Sequence, residues 1–204
     1  GSSPQGSLVI DSVGTIYGAA NFGGAAGYGV VYSLTPNAKG KWTEKLLHTF
    51  PGGKGGGHPT FGLTSDSAGN LYGIATNTDR NLDLVYQLSM DLQNKWNHTT
   101  IFRFSYPSSG EPDSAGGNVL IDPNGNAFGF GGGGKARQGT LYQLSQSAGK
   151  WIDTLLYSFT GISGGILPEG PPITDQNGNL YGVTVEGGKD CPGEGCGTVF
   201  EFAP

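Results

Sequence analysis

The sequence predicts an all-β fold made of small repeated antiparallel sheets, and three observations predict it. A turn-and-strand phrase is written four times: DSVGTIYG from Asp11, DSAGNLYG from Asp66, DPNGNAFG from Asp122 and DQNGNLYG from Asp175, the aspartates 55, 56 and 53 residues apart. Downstream of each, strict alternation puts Val30, Tyr32 and Leu34 on one face, then Leu84, Tyr86 and Leu88, then Thr140, Tyr142 and Leu144, then Thr198, Phe200 and Phe202. Period two with β-branched and aromatic residues marks a strand with one buried face. The three tryptophans each open a last apolar run, at 42–50, 96–104 and 151–159, that closes on a phenylalanine. A period near 55 residues is that of β-propeller blades. The expectation is therefore one propeller domain over 1–204, with four-stranded repeats at 7–60, 61–116, 117–170 and 171–204, the last lacking a strand.

In chain order, strand A lies at 8–11, 63–66, 119–122 and 173–175. It turns through Asp-x-x-Gly, where the aspartate accepts hydrogen bonds from amides just downstream. Strand B follows at 16–19, 71–76, 127–130 and 180–184, and strand C at 29–35, 83–89, 139–145 and 197–203. Strand D is the tryptophan run, present three times, which makes fifteen strands. No segment carries the three-to-four-residue apolar period of a helix. The register-repeating aromatics (Tyr17, Tyr72, Phe128, Tyr181 and the tryptophans) read as packing between and within repeats. The missing fourth strand leaves an unpaired edge that invites a second chain, a route to a homodimer. Residues 2–6 are too short and polar to supply that strand.

GNLYG at 178–182, GTVF at 197–200 and WIDTLLYSF at 151–159 together resemble the GloVer tandem repeat of the choice-of-anchor type of bacterial extracellular protein. The likeness extends over essentially the whole chain. It implies a propeller-like fold and export, and it implies no activity, since the repeats define the family. His48 and Phe128 stand where that pattern has tyrosine, and Asp83 where it has glycine.

Composition narrows the function. Charged residues are 13 % and the net charge is −5, so there is no basic stripe for a phosphate backbone and nucleic acid is not an expected partner. No apolar run is long enough for a membrane-spanning helix. No leader is visible, and Gly1-Ser2-Ser3 reads as an expression scar. The 39 glycines and 12 prolines punctuate many turns. Cys191 and Cys196, five apart with no histidine nearby, read as a local disulfide and so as an oxidising, extracellular setting.

In an up-and-down sheet the A–B and C–D turns share one end. The long B–C loops (21–28, 77–82, 131–138, 185–196) and D–A loops (51–60, 105–116, 160–170) share the other, where binding groups are expected. The candidate ligand-binding residues there are His58, Arg80, Tyr106, Glu111, Asp113, Arg137, Glu169, Glu186 and Asp190, with Asp79, Lys135 and Lys189 beside them. The four repeated aspartates read as turn residues. Asp122-x-Asn124-x-Asn126 and its copy at Asp175 echo a calcium loop, but the glycine is displaced and no twelfth-position glutamate follows. The glycine runs lack the context of a phosphate loop, and no cofactor or metal is expected. These features point to an extracellular binding module for polysaccharide or cell-surface glycan. The alternatives are a glycoside hydrolase or lyase using loop carboxylates such as Glu111, Asp113, Glu169 and Glu186, and a structural or adhesive interaction protein.

Overall fold

The computed structural model describes residues 1–80, 82–105, 110–188 and 195–203, without the side chain of Ile162. The described residues form sixteen strands in four antiparallel sheets and no α-helix. The chain divides into two units, Gly1–Arg103 and Phe104–Pro204, each holding two sheets.

The first sheet contains β1 (Ser2–Pro4), β2 (Val9–Ile10), β3 (Ile16–Phe22), β4 (Val30–Pro36) and β5 (Trp42–Thr49). The second contains β6 (Leu63–Ser65), β7 (Leu71–Asn77), β8 (Leu82–Met90) and β9 (Trp96–Arg103), paired in sequence order. In the second unit the third sheet is β10 (Leu120–Ile121), β11 (Ala127–Gly131), β12 (Thr140–Ser147) and β13 (Lys150–Ser158). The fourth is β14 (Ile166–Thr174), β15 (Leu180–Glu186) and β16 (Thr198–Phe202). The four-step A–B–C–D order is thus present, with the fourth step absent from the last sheet among the described residues. Two boundaries differ from expectation. Residues 2–4 do form a strand, but on the first sheet, where Ser2 lies opposite Phe22. Strand β14 begins at Ile166, because Ile166 and Pro168 pair with Glu186 and Thr184, so much of the expected 160–170 loop is strand.

The Asp turns have one chemistry. The Asp66 amide donates to the Asn70 carbonyl at 3.1 Å, and Gly69, at φ 81°, donates back to the Asp66 carbonyl. Asp66 Oδ1 accepts from the amides of Ala68 and Asn70, both 2.9 Å, while Oδ2 accepts from Asn70 Nδ2 at 2.7 Å and the Tyr72 hydroxyl at 2.9 Å. Asp11, Asp122 and Asp175 accept the same pair of amides. The aspartates are consumed by structure.

The glycine after each aromatic has an equally local cause. Gly18, Gly73, Gly129 and Gly182 lie directly across from Tyr32, Tyr86, Tyr142 and Phe200. A Cβ on Gly73 would come 2.5 Å from the Tyr86 hydroxyl oxygen. The strand C ring folds over the bare backbone of strand B, a cross-strand aromatic–glycine pair. A bulge recurs beside it, between Val31 and Tyr32, Val85 and Tyr86, and Leu141 and Tyr142.

Within each unit the two sheets pack face to face. In the first, Ala19 and Val31 meet Leu71, Ala75, Leu84, Tyr86 and Leu88, with Tyr17 and Trp96 at the margin. In the second, Phe128, Phe130 and Leu141 meet Leu180, with Phe200 and Phe202 half-buried against them. Phe50, Phe104 and Phe159, which close the three D strands, are 0 %, 3 % and 1 % exposed. Trp42 departs from the expected packing role: it is 52 % exposed.

Candidate functional site

Long loops gather in both units. In the first, the amide of His58 donates to the Tyr28 carbonyl at 2.7 Å, which ties loop 51–60 to loop 21–28. The Gly53 amide donates to Thr78 Oγ1 at 2.6 Å and ties it to loop 77–82 as well. His58 takes a positive φ of 51°, an uncommon conformation for a side-chain-bearing residue. Its ring sits edge-on to Phe22 and Tyr28, with centroids 5.0 and 5.6 Å away. His58 Nδ1 lies 3.1 Å from the Asn21 carbonyl oxygen. A carbonyl only accepts, so Nδ1 carries the proton and neutral His58 offers Nε2 as an acceptor. Phe22 and Tyr28 are 47 % and 37 % exposed. Asp79 and Arg80 are exposed at the neighbouring loop tip.

In the second unit, loop 110–116 packs on loop 131–138: the Gly134 amide donates to the Glu111 carbonyl at 3.2 Å and the Gly132 amide to that of Ser114 at 3.1 Å. The half-buried Asp113 carboxylate accepts from Ser114 Oγ at 3.3 Å and lies over Gly132 and Gly133. Glu111, Lys135 and Arg137 are exposed. Glu169 is a strand residue opposite Val183, whereas Glu186 shares the other face with Thr184, so these two carboxylates point to opposite sides of the fourth sheet. Tyr106, Lys189, Asp190 and Cys191 lie outside the described residues, and with Cys191 so does the expected Cys191–Cys196 pairing. No group of three or more His, Cys, Asp or Glu among the described residues is placed to hold a metal.

The other two histidines are internal to the first unit. His48 and His98 stack with centroids 4.3 Å apart and 8° between planes. Both Nε2 atoms are buried without a hydrogen-bond partner among the described residues. Burial lowers the His48 imidazole, and burial followed by the charges of His48 and Arg103 takes His98 down to about 4. The pair is a structural contact between sheets.

The sequence singles out His58 and Arg80 on these loops by residue type, whereas Phe22 and Tyr28, which the fold brings against His58, do not stand out by charge or repeat. Loop 21–28 and its entry are the only B–C segment with aromatics, since 77–82, 131–138 and 185–196 have none. That asymmetry was the available signal.

No protein-family model matches the chain. No curated protein matches it either. Among the solved structures similar to this chain are two bacterial proteins. One is a protein of unknown function from Dyadobacter fermentans, with a TM-score of 0.50, 13 % identity, and coverage of 89 % of this chain and 61 % of that one. The other is a protein from Parabacteroides distasonis provisionally described as a glycoside hydrolase, with a TM-score of 0.45, 16 % identity, and coverage of 94 % and 63 %. The chain thus spans under two thirds of either. At 13 % identity, the Dyadobacter likeness concerns the fold alone.

Proposed function

We propose that this chain is an extracellular binding module of propeller type, of the GloVer kind, that recognises polysaccharide or cell-surface glycan through its long loops. One observation carries the reading. Phe22 and Tyr28, each more than a third exposed, both pack edge-on against a His58 ring that is held by its contact with the Asn21 carbonyl. Rigid aromatic surfaces stack on the apolar faces of sugar rings at little entropic cost. The His58 Nε2 acceptor and the adjacent Asp79 and Arg80 supply hydrogen-bonding groups for hydroxyls. Propeller geometry is supported by the fourfold repeat and by the face-to-face sheets in each unit, whose first strands approach one another: Leu63 donates to Ser7 O at 3.1 Å and Gly170 to Gly116 O at 3.0 Å.

The reading is tested by a glycan array followed by titration of the best ligand, with reducing-end release measured in parallel. Binding without release is expected. Phe22→Ala and Tyr28→Ala should each weaken it about tenfold, equivalent to about 1.4 kcal/mol. Turnover abolished by Glu111→Gln or Asp113→Asn would replace the module with the enzyme.

A further inference from the structure

We infer that the cleft between the Asp11 and Asp66 turns of the first unit is a binding site for a quaternary ammonium group, held against the faces of Tyr17 and Trp96. The cleft lies within that one unit, has a volume of about 440 Å³, and runs between residues 9–12 of the first sheet and 65–69 of the second. That volume is in the range of small-molecule sites. Tyr17 and Trp96 both line it, their centroids 6.1 Å apart and their planes inclined at 66°. Rings at that angle form a corner, and a cation seated in it meets the negative π face of an aromatic ring. The corner is rigid: the Tyr17 hydroxyl donates to Asp11 Oδ2 at 3.0 Å, and both rings pack on a core that includes the buried Leu71.

Charge selects the ligand. Among the described residues the charged side chains lining the cleft are Asp11 and Asp66, and no Lys, Arg or His lines it. Hydrogen bonds from neutral donors spread those two negative charges without cancelling them, so a cation is favoured. They also use up the acceptors. A carboxylate has about four acceptor sites. Asp66 fills all of them, and Asp11 fills three with the amides of Val13 and Thr15 and the Tyr17 hydroxyl. A primary ammonium would bring N–H donors that go unpaired here, whereas a quaternary ammonium brings only charge and methyl groups. Methyl groups suit the apolar part of the wall, Val9, Leu71 and Met90. At the rim the exposed Ser12 and Ser67 offer hydroxyls to the polar end of a choline-type ligand. The cleft is separate from the His58 site: Tyr17 and Phe22 are the second and last residues of β3, about 17 Å apart on an extended strand.

The probes are choline and tetramethylammonium, titrated into the whole chain by calorimetry. Saturable binding of both is expected. Ethanolamine, and the uncharged analogue of choline in which a tert-butyl group replaces the trimethylammonium, should each bind about tenfold more weakly or worse. With Trp42→Phe and Trp151→Phe in place Trp96 is the sole indole, and its fluorescence should change with the same Kd. Ser67→Lys, which puts a positive charge on an exposed rim position, should weaken choline about tenfold, whereas Ser67→Gln should not. Phe22→Ala/Tyr28→Ala should leave choline binding unchanged, so failure here and failure of the glycan reading are told apart. Phosphatidylcholine vesicles assign the source of the group: co-sedimentation reversed by excess choline means a lipid headgroup, capture of free choline alone means a solute, and either supports the inference. Absence of saturation, equal binding of ethanolamine or of the uncharged analogue, an unmoved Trp96 signal, undiminished binding by Ser67→Lys, or displacement of choline by a neutral glycoside would each overturn it.

Discussion

Asp66 holds its turn with four hydrogen bonds to one carboxylate. Bonds to a charged group outweigh neutral ones, so Asp66→Ala should destabilise the fold by about 2 kcal/mol in urea denaturation. Asp66→Asn should cost less, since Asn37 does the amide-accepting half of the same task in the turn between β4 and β5, taking the amides of Lys39 and Lys41 at 2.9 and 3.1 Å. At Asp11, burial works to raise the carboxyl, yet the amides of Thr15 and Val13 and the Tyr17 hydroxyl outweigh it and hold the group below its usual value. The stacked histidines give a second test. His98 titrates near 6.5 in the unfolded chain and at about 4 in the fold. Between those values the unfolded state binds more protons, so stability is full above about pH 6.5 and declines as pH falls toward 4. The loss reaches about 3 kcal/mol at the acid end. His98→Phe should flatten denaturation midpoints measured from pH 7.5 to 4. The turn aspartates were legible because they repeat; the histidine pair was not, because its members occupy different positions in their repeats.

At the scale of the element, the Tyr–Gly phrase is a cross-strand device. Gly73→Ala must displace a Tyr86 ring that is 0 % exposed, so it should cost about 1–3 kcal/mol by thermal or chemical denaturation. Gly18→Ala meets the half-buried Tyr32 and should cost less. Alternation and turn phrases made nearly every strand readable, because both are local signals. The bulge beside each strand C aromatic was not readable: it leaves Leu47, Ile101 and Leu156 unpaired in the D strands without a glycine or proline to announce it. The extension of β14 to Ile166 was hidden for a related reason. Its Pro-Glu-Gly-Pro-Pro stretch has the composition of a loop, and pairing with β15 overrides that at an edge strand, where proline is tolerated.

For the whole molecule, the sequence made four repeats and the crowding of long loops visible, because period and connection order follow from spacing alone. Which loop residues the fold brings together was less visible. Charged residues drew attention, yet Glu169 and Glu186 face opposite sides of one sheet, while two aromatics in a glycine-rich loop came together around His58 only through the fold. A binding surface of exposed rings makes a different demand from a catalytic pair of carboxylates. The most direct test is calorimetric titration of the strongest array ligand into the wild-type chain and the Phe22→Ala/Tyr28→Ala double variant, with reducing ends assayed in the same samples. The account predicts saturable binding by the wild type, loss of about a hundredfold or more in the variant, and no new reducing ends. Undiminished binding by the variant, or release of reducing ends by the wild type, would contradict it.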